Sequence, residues 1–194
     1  SSVSHMGYVL MGIATLNPLG MSGAVLQMFS HGVMTALFFA VVGIIYDRTH
    51  TRDIGVLRGL AKRMGWTASL FVVAALASLG MPGLSGFVAE LLVFMGLFQT
   101  YPILGALGVI GAAITAVYML RLISTVFFGE SDDAHWASLL DKKFEKAPDG
   151  WRIERASALV LVGFILLVGL FPFPFIRVID SGVADILASM ARAL

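Results

Sequence analysis

The chain has 194 residues, of which 58% are hydrophobic and only 13% are charged, with a formal net charge of +1. A soluble domain of this size cannot bury so much apolar surface, so the composition excludes a water-soluble globular fold and predicts a lipid environment. The absence of cysteine excludes disulfides, thiolate metal sites and iron–sulfur ligation by this chain, and the small net charge gives no indication of nucleic-acid binding.

Apolar segments follow one another along the chain and predict an all-α membrane protein with about five transmembrane helices. They are residues 1–16, 21–46, 65–99, 103–128 and 155–171. The first segment reads as helix interior and lacks an initiator methionine, so we expect the numbering to begin inside a longer polypeptide. Residues 1–175 form the predicted bundle. Residues 176–194 have apolar side chains at steps of three and four, which predicts an amphipathic C-terminal helix at the non-cytoplasmic surface or against a neighbouring subunit.

Basic residues predict the orientation of these spans. The connection 47–64 contains five Lys and Arg residues, and the polar connection 129–154 together with Arg155 also contains five. The two short links between the other spans contain none. Because basic residues are enriched in cytoplasmic loops, both long connections are predicted to be cytoplasmic. We separately expect the membrane to be a bacterial inner (plasma) membrane.

The third span is longer than a bilayer requires and is interrupted by glycine and proline. It covers 35 residues and contains Glu90 as its only charged residue. Since a straight helix crosses a bilayer with about 20 residues, we expect Gly80, Pro82, Gly83 and Gly86 to form the hinge of a broken helix. The break frees backbone groups that can line a hydrated cavity. A carboxylate at this depth is typical of a proton path, and pairing with a basic residue to fix helix packing is the alternative.

Three further ionisable residues lie within the predicted spans. His5 and His31 are in the first and second spans, and a histidine can pass a proton through either ring nitrogen. Each histidine could instead stay neutral and only hydrogen-bond a neighbouring group, and both interpretations remain open. Arg121 lies near the end of the fourth span, where its long side chain can anchor at the membrane surface or form an ion pair with another subunit. Neutral polar residues such as Gln27 could hold water in a chain, but each is interpreted as a helix-packing residue. No spacing predicts a metal site.

Five short motifs occur in a fixed order within the first 130 residues. They are Ser-Val-Ser-His-Met-Gly at 2–7, Gly-Ala-Val-Leu-Gln-Met at 23–28, Ser-His-Gly at 30–32, Tyr-Asp-Arg-Thr-His-Thr-Arg-Asp at 46–53, and the segment 80–90 from Gly-Met-Pro-Gly to Glu90. In order and spacing this run resembles the antiporter-like membrane subunits of respiratory complex I, of the chain M or subunit 4 type. Beyond residue 130 only the hydropathy pattern agrees.

The resemblance implies a fold of fourteen transmembrane helices in two inverted five-helix repeats, of which this chain would supply the last five. The third span would be the broken helix of the second repeat. Glu90, His31 and His5 would belong to a polar axis along the membrane midplane, with Glu90 as the terminal group of a proton pathway. The family's other essential groups, a glutamate and lysines on earlier helices, would precede Ser1.

The resemblance also implies a function and a set of partners. The chain would be part of a proton-translocating subunit of an NADH:quinone oxidoreductase, surrounded by lipid and by other membrane subunits. Flavin, iron–sulfur clusters and quinone would be bound by partner subunits, with no cofactor and no redox active site in this chain.

Two alternative functions remain open. A subunit of a multisubunit cation/proton antiporter or of a membrane-bound hydrogenase would share the broken helix and its polar residues, and the soluble subunits that co-purify would discriminate. A structural spacer that transports nothing, and whose buried polar residues only fix helix packing, is the alternative from a different functional class.

Overall fold

The computed structural model describes residues 1–130, 136 and 149–193, and within them the regular secondary structure is helical throughout. The α-helices are α1 (Ser2–Ala14), α2 (Pro18–Thr49), α3 (Gly65–Ser78), α4 (Ser85–Thr100), α5 (Pro102–Val126), α6 (Arg152–Leu170) and α7 (Phe173–Ala193), and a short 3-10 helix covers Leu60–Lys62. This confirms the all-α fold class. Most of the predicted polar loop 129–154 falls outside the described residues.

The lengths of the helices agree with a membrane protein. Among the described residues, α2, α5 and α6 are each long and apolar enough to cross a bilayer, and α3 and α4 are shorter apolar helices. The predicted span 65–99 is indeed broken, because α3 ends at Ser78 and α4 begins only at Ser85. The orientation of the helices in the membrane remains a prediction.

Backbone conformation explains the break between α3 and α4. Gly80 has a φ of +65° and Gly83 a φ of +91°, in the left-handed region where a side chain is strained. Pro82 between them has no N–H to donate to a helical hydrogen bond. The Gly80 N–H instead closes a tight turn onto the Ala77 carbonyl oxygen at 3.3 Å. The chain therefore leaves the helical path at the residues that the sequence predicted as a hinge.

The chain divides into two compact units, and several helices contribute residues to both. Unit 1 comprises Ser1–Met34, Leu76–Ala116 and Phe164–Leu194, and unit 2 comprises Thr35–Ala75 and Val117–Gly163.

Unit 1 is built around close contact between α2 and α4. A Cβ placed on Gly23 would lie 2.6 Å from the Val93 nitrogen, and one placed on Gly96 would lie 2.5 Å from the Gly20 nitrogen. The two helices therefore touch through their backbones, as small residues permit in membrane proteins. This contact fixes the register of the polar residues on α2 relative to the residues that follow the break.

The C-terminal helix α7 packs on the same unit. Its residues Phe175, Ile176 and Ile179 cover a small core of Leu26, Ala89 and Val168. The Ser22 hydroxyl donates a hydrogen bond to the carboxylate of Asp180 at 2.5 Å. The first two turns of α7 thus run beside α2, α4 and the end of α6, and the predicted location of this helix at a membrane surface remains untested.

Unit 2 contains a buried ion pair that the sequence did not indicate. Arg48 has an exposed fraction of 0%, and it donates to the Glu154 carboxylate at 2.7 Å and to the Ile44 carbonyl at 2.9 Å. Arg48 was expected in the connection 47–64, but it lies in the last turn of α2, which ends at Thr49. There the carboxylate of Glu154 compensates its charge.

Candidate functional site

Four helices of unit 1 bring polar side chains together beside the break. His5 comes from α1, Gln27 and His31 come from α2, Ser78 is the last residue of α3, and Glu90 lies in the second turn of α4. All except His31 are buried, with exposed fractions of 1% for His5 and Gln27, 2% for Ser78 and 7% for Glu90. Burying a polar group costs free energy unless the group is hydrogen-bonded. We therefore define the site by the contacts that these side chains make with one another.

His5 is at the centre of these contacts. Its Nε2 lies 3.0 Å from the Ser78 hydroxyl oxygen. Its Nδ1 lies 3.1 Å from Nε2 of Gln27 and 3.4 Å from Oε1 of Glu90. A neutral imidazole carries its proton on one nitrogen and a lone pair on the other. His5 therefore connects α1 to α2, α3 and α4 through its two ring nitrogens.

Glu90 reaches from α4 back to the break. Oε2 of its carboxylate lies against Gly80, where an added Cβ would be 2.7 Å away. Within the described part of the chain, the titratable neighbour of Glu90 is His5, and no lysine or arginine lies within 4.0 Å of its carboxyl group. Among these residues, the carboxyl group thus lies between an imidazole and the irregular backbone of the hinge.

His31 extends the site toward the beginning of α1. Its ring centroid is 5.5 Å from that of His5, and its Nε2 lies 3.2 Å from the Ser2 hydroxyl oxygen. The side chain is half-buried. Of the three residues singled out from the sequence, Glu90 and His31 therefore each lie beside His5.

The hinge residues also lie at this site, whereas Arg121 does not. Gly86 packs directly on the Ala77 carbonyl, so that the end of α3 and the start of α4 are in contact. Arg121 belongs to unit 2 and is exposed. Its side chain forms no ion pair with an acidic residue of the part that the structure describes. Its predicted role as an anchor or as the partner of another subunit remains a prediction.

Two residues of the site were not predicted from the sequence. Gln27 was interpreted as a packing residue in preference to a residue that holds water, although it lies four positions before His31 and therefore on the same face of α2. Ser78 was given no role, and its position as the last residue before the hinge was the available signal. A neighbouring hydrogen bond from Ser30 to Ser85, at 2.7 Å, joins α2 to the first residue of α4.

This arrangement is suited to proton transfer. A carboxyl group and an imidazole at 3.4 Å can exchange a proton after a small approach, because donor and acceptor must come within about 2.6–3.2 Å. The ring nitrogens of His5 face Ser78, Gln27 and Glu90 rather than His31, although the two ring centroids are only 5.5 Å apart. Transfer between the histidines therefore requires a bridging water or a rotation of one ring.

Comparison with known proteins finds one matching family and several relatives with similar names. Residues 1–115 match the family described as NADH:quinone oxidoreductase/Mrp antiporter, TM. The chain is 48% identical over 137 residues to NAD(P)H-quinone oxidoreductase chain 4 1 of Synechococcus elongatus, an alignment that covers 66% of this chain and 25% of that protein. It is 36% identical over 187 residues to NADH-quinone oxidoreductase subunit M of Rickettsia felis, covering 96% of this chain and 36% of that protein.

A solved structure shows the same similarity. A chain of respiratory complex I from Thermus thermophilus with bound NADH superimposes with a TM-score of 0.83 at 32% identity, covering 95% of this chain and 37% of that chain. The chain thus spans about a third or less of the length of the relatives that it matches.

Proposed function

The chain belongs to the NADH:quinone oxidoreductase/Mrp antiporter transmembrane family, and on that premise we propose that it is part of a proton-translocating subunit in the membrane arm of a complex I-type NADH:quinone oxidoreductase. The resemblance to the chain M or subunit 4 type, noted from the sequence motifs, is confirmed by the names of the relatives. Proton movement through this chain, and the residues that carry it, are the proposal.

One observation supports the proposal most strongly. Glu90 is buried beside a break in its helix, its carboxylate is 3.4 Å from the His5 imidazole, and no lysine or arginine of the described residues holds it in place. A carboxylate locked in a permanent ion pair would favour the packing interpretation, because its charge would be fixed. A carboxylate whose neighbour is itself a titratable group can change its protonation state together with that neighbour.

The proposed path has three groups. Glu90 exchanges protons with the outer side of the membrane through the polar backbone of the hinge. His5 exchanges protons with Glu90 across the contact at its Nδ1. His31 receives or supplies the proton of His5 after a ring rotation or through water, and thus continues the path along the membrane. Partner subunits are proposed to hold the redox groups and to drive the steps by an electrostatic or hydration change.

The description of the family also includes Mrp antiporters. The relatives named above are subunits of quinone oxidoreductases, and the quinone oxidoreductase assignment rests on these names. Soluble subunits that co-purify with the full-length protein test the assignment, since nucleotide-binding and iron–sulfur subunits are expected for a quinone oxidoreductase.

The Glu90→Gln substitution in the full-length protein tests the proton path. The variant keeps the size of the side chain and removes the proton that a carboxyl can release. We expect proton translocation by the assembled complex in vesicles to fall by at least about tenfold, because positioned proton-transfer groups contribute factors of roughly 100 or more. Thr115→Val is the matched control: Thr115 is equally buried in unit 1 but bonds only to its own helix, at Gly111. Normal translocation with Glu90→Gln would instead support the structural spacer.

A further inference from the structure

Nδ1 of His5 has two competing neighbours. Nε2 of Gln27 is 3.1 Å away and Oε1 of Glu90 is 3.4 Å away, and a single ring nitrogen can either accept one hydrogen bond or donate one. While the Gln27 N–H donates to Nδ1, the lone pair of that nitrogen is occupied and the ring proton must reside on Nε2, beside Ser78. The amide of Gln27 and the carboxyl of Glu90 therefore exclude each other at this atom.

The Gln27 amide also has an unsatisfied atom. Its Oε1 is buried and has no hydrogen-bond partner among the described residues. Buried polar atoms are almost always paired, so the observed orientation satisfies one end of the amide and leaves the other unpaired. Rotating the amide by half a turn would place Oε1 against His5 and leave the NH2 group unpaired. Because the two ends of the amide have nearly the same shape, this rotation needs no repacking. Which orientation is more stable depends on whether Nδ1 of His5 presents a lone pair or an N–H.

We propose that Gln27 is a two-position gate that determines when a proton passes between Glu90 and His5. The inference rests on the proton path proposed above and assigns a positioning residue to it. In the closed position the amide N–H donates to Nδ1, and His5 is neutral with its proton on Nε2. In the open position the amide has rotated, its Oε1 faces His5, and Nδ1 is protonated.

When the amide N–H withdraws, the lone pair of Nδ1 is exposed to the protonated carboxyl of Glu90. The O–H bond of Glu90 breaks and an N–H bond forms at Nδ1, which leaves a carboxylate and an imidazolium with both ring nitrogens protonated. The new N–H donates to Oε1 of the rotated Gln27 amide, and the carboxylate of Glu90 beside it balances the charge of the imidazolium. The reverse steps return the proton to Glu90, so the amide orientation and the protonation of His5 change together.

The gate is tested with two substitutions in the full-length protein within its assembled complex. Gln27→Met is nearly isosteric and removes both the donor and the acceptor. Gln27→Glu keeps the size and, as a carboxylate, accepts only from the protonated form of Nδ1. For each variant, NADH-driven proton translocation in vesicles is measured in H2O and in D2O, together with the amount of assembled complex. Ser30→Ala is the matched control, since Ser30 is buried on the same helix and bonds to Ser85 rather than to His5.

We expect both Gln27 variants to translocate protons at least about threefold more slowly, because Met lacks the acceptor that stabilises the new N–H and Glu holds that N–H in place. Transfer at His5 then becomes rate-limiting, so the solvent isotope effect should increase at least about 1.5-fold. Ser30→Ala should stay within about twofold of the unmodified protein in rate and should keep its isotope effect. A packing role for Gln27 would lower the amount of assembled complex without changing the isotope effect. A normal isotope effect in either assembled variant, or failure of both variants to assemble, would overturn the gate.

Glu90→Gln, measured in parallel, separates the gate from the path. If Glu90→Gln abolishes translocation while both Gln27 variants behave normally, the path is retained and the gate is wrong. If Glu90→Gln is also normal, the proposed function itself fails.

Discussion

The carboxylate of Glu90 lies against the α-carbon of Gly80, so closely that a Cβ at that position would be 2.7 Å from Oε2. The same glycine has a φ of +65°, which turns the chain out of α3. Gly80 therefore serves the hinge in two ways, since it adopts the left-handed conformation and also leaves room for the acid of the following helix. The break is thus part of the pocket that positions Glu90.

The first prediction concerns Gly80→Ala. The added methyl group must displace the carboxylate, and the left-handed backbone costs roughly 1–2 kcal/mol for a residue with a Cβ. We expect this variant of the full-length protein to assemble with reduced thermal stability and to lose proton translocation by at least about fivefold, because Glu90 moves away from His5. Proton uptake into vesicles and thermal unfolding of the purified complex measure the two effects.

Gly83→Ala is the matched control for this prediction. Gly83 also has a positive φ, of +91°, but its added Cβ would only reach Leu170 at an ordinary 3.8 Å. The variant should therefore have a similar cost in stability and retain translocation within about twofold. If both variants lose translocation equally, the conformation of the hinge, and not the space beside Glu90, is what transport requires.

The second prediction concerns the ion pair of Arg48 and Glu154 in unit 2. Arg48 is fully buried, and the Glu154 side chain is 28% exposed. Removing one member of a buried pair costs about 3–5 kcal/mol when the remaining charge stays buried. We expect Glu154→Ala to destabilise the protein by about 2–3 kcal/mol, because it leaves the buried guanidinium without its carboxylate. Thermal unfolding in detergent or lipid measures the loss.

Substitution of the other partner should have a smaller effect. Arg48→Met keeps most of the buried stem, and the remaining carboxylate still accepts the Trp151 N–H at 2.6 Å and still contacts solvent. We expect a loss of about 1–2 kcal/mol. Arg152→Gln, at the exposed first position of α6, should change stability by less than about 0.5 kcal/mol. A larger loss of stability for Arg48→Met than for Glu154→Ala would show that the buried, unpaired guanidinium is not the main cost of breaking the pair.

The features that the sequence predicted well are those with local causes. A long apolar segment that contains two glycines and a proline has to break, because the backbone preferences of Gly80 and Pro82 act within their own turn. The lone charge of Glu90 and the histidines were conspicuous because each is rare in an apolar span. The hinge and the helical class could therefore be predicted without coordinates, and the rarity of ionisable residues also drew attention to the three candidate residues.

The missed features depend on partners that are distant in the sequence. His5 bonds to Ser78, 73 positions away, and Arg48 to Glu154, 106 positions away. Single-residue properties do not indicate which of many serines or glutamates will face a given side chain. The competition between Gln27 and Glu90 likewise depends on two distances, from the Gln27 amide and from the Glu90 carboxyl to Nδ1 of His5. Only the packing of α1, α2 and α4 determines these distances.

The third prediction concerns Asp149, which caps a helix that is remote in sequence. Its carboxylate accepts the N–H of Trp66 at 2.7 Å and both the N–H and the hydroxyl of Thr67 at 2.8 Å, in the first turn of α3. Helix N-terminal N–H groups have no partner within the helix, and a negative charge is favourable there. We expect Asp149→Ala to lose about 1–2 kcal/mol of stability, and Asp149→Asn about half of that, since the amide retains an acceptor.

Asp47→Ala is the control for the capping prediction. Asp47 is exposed near the end of α2, where a negative charge is slightly unfavourable, so its removal should leave stability within about 0.5 kcal/mol. Equal stability of Asp149→Ala and Asp47→Ala in thermal unfolding would show that the cap contributes nothing.

The fourth prediction compares two glycines of α6 that should respond with opposite sign. A Cβ on Gly169 would lie 2.5 Å from the backbone of Leu84, whereas a Cβ on Gly163 would meet no heavy atom within 4 Å in the described structure. Alanine is favoured over glycine in a helix interior by roughly 0.5–1 kcal/mol. Gly163→Ala should therefore raise the unfolding temperature slightly. Gly169→Ala should lower it and also reduce proton translocation, because the end of α6 is pushed away from the hinge that positions Glu90. A stabilising effect of both substitutions would show that α6 can move from the hinge without cost, and the contact at Leu84 would then have no role in holding the acid.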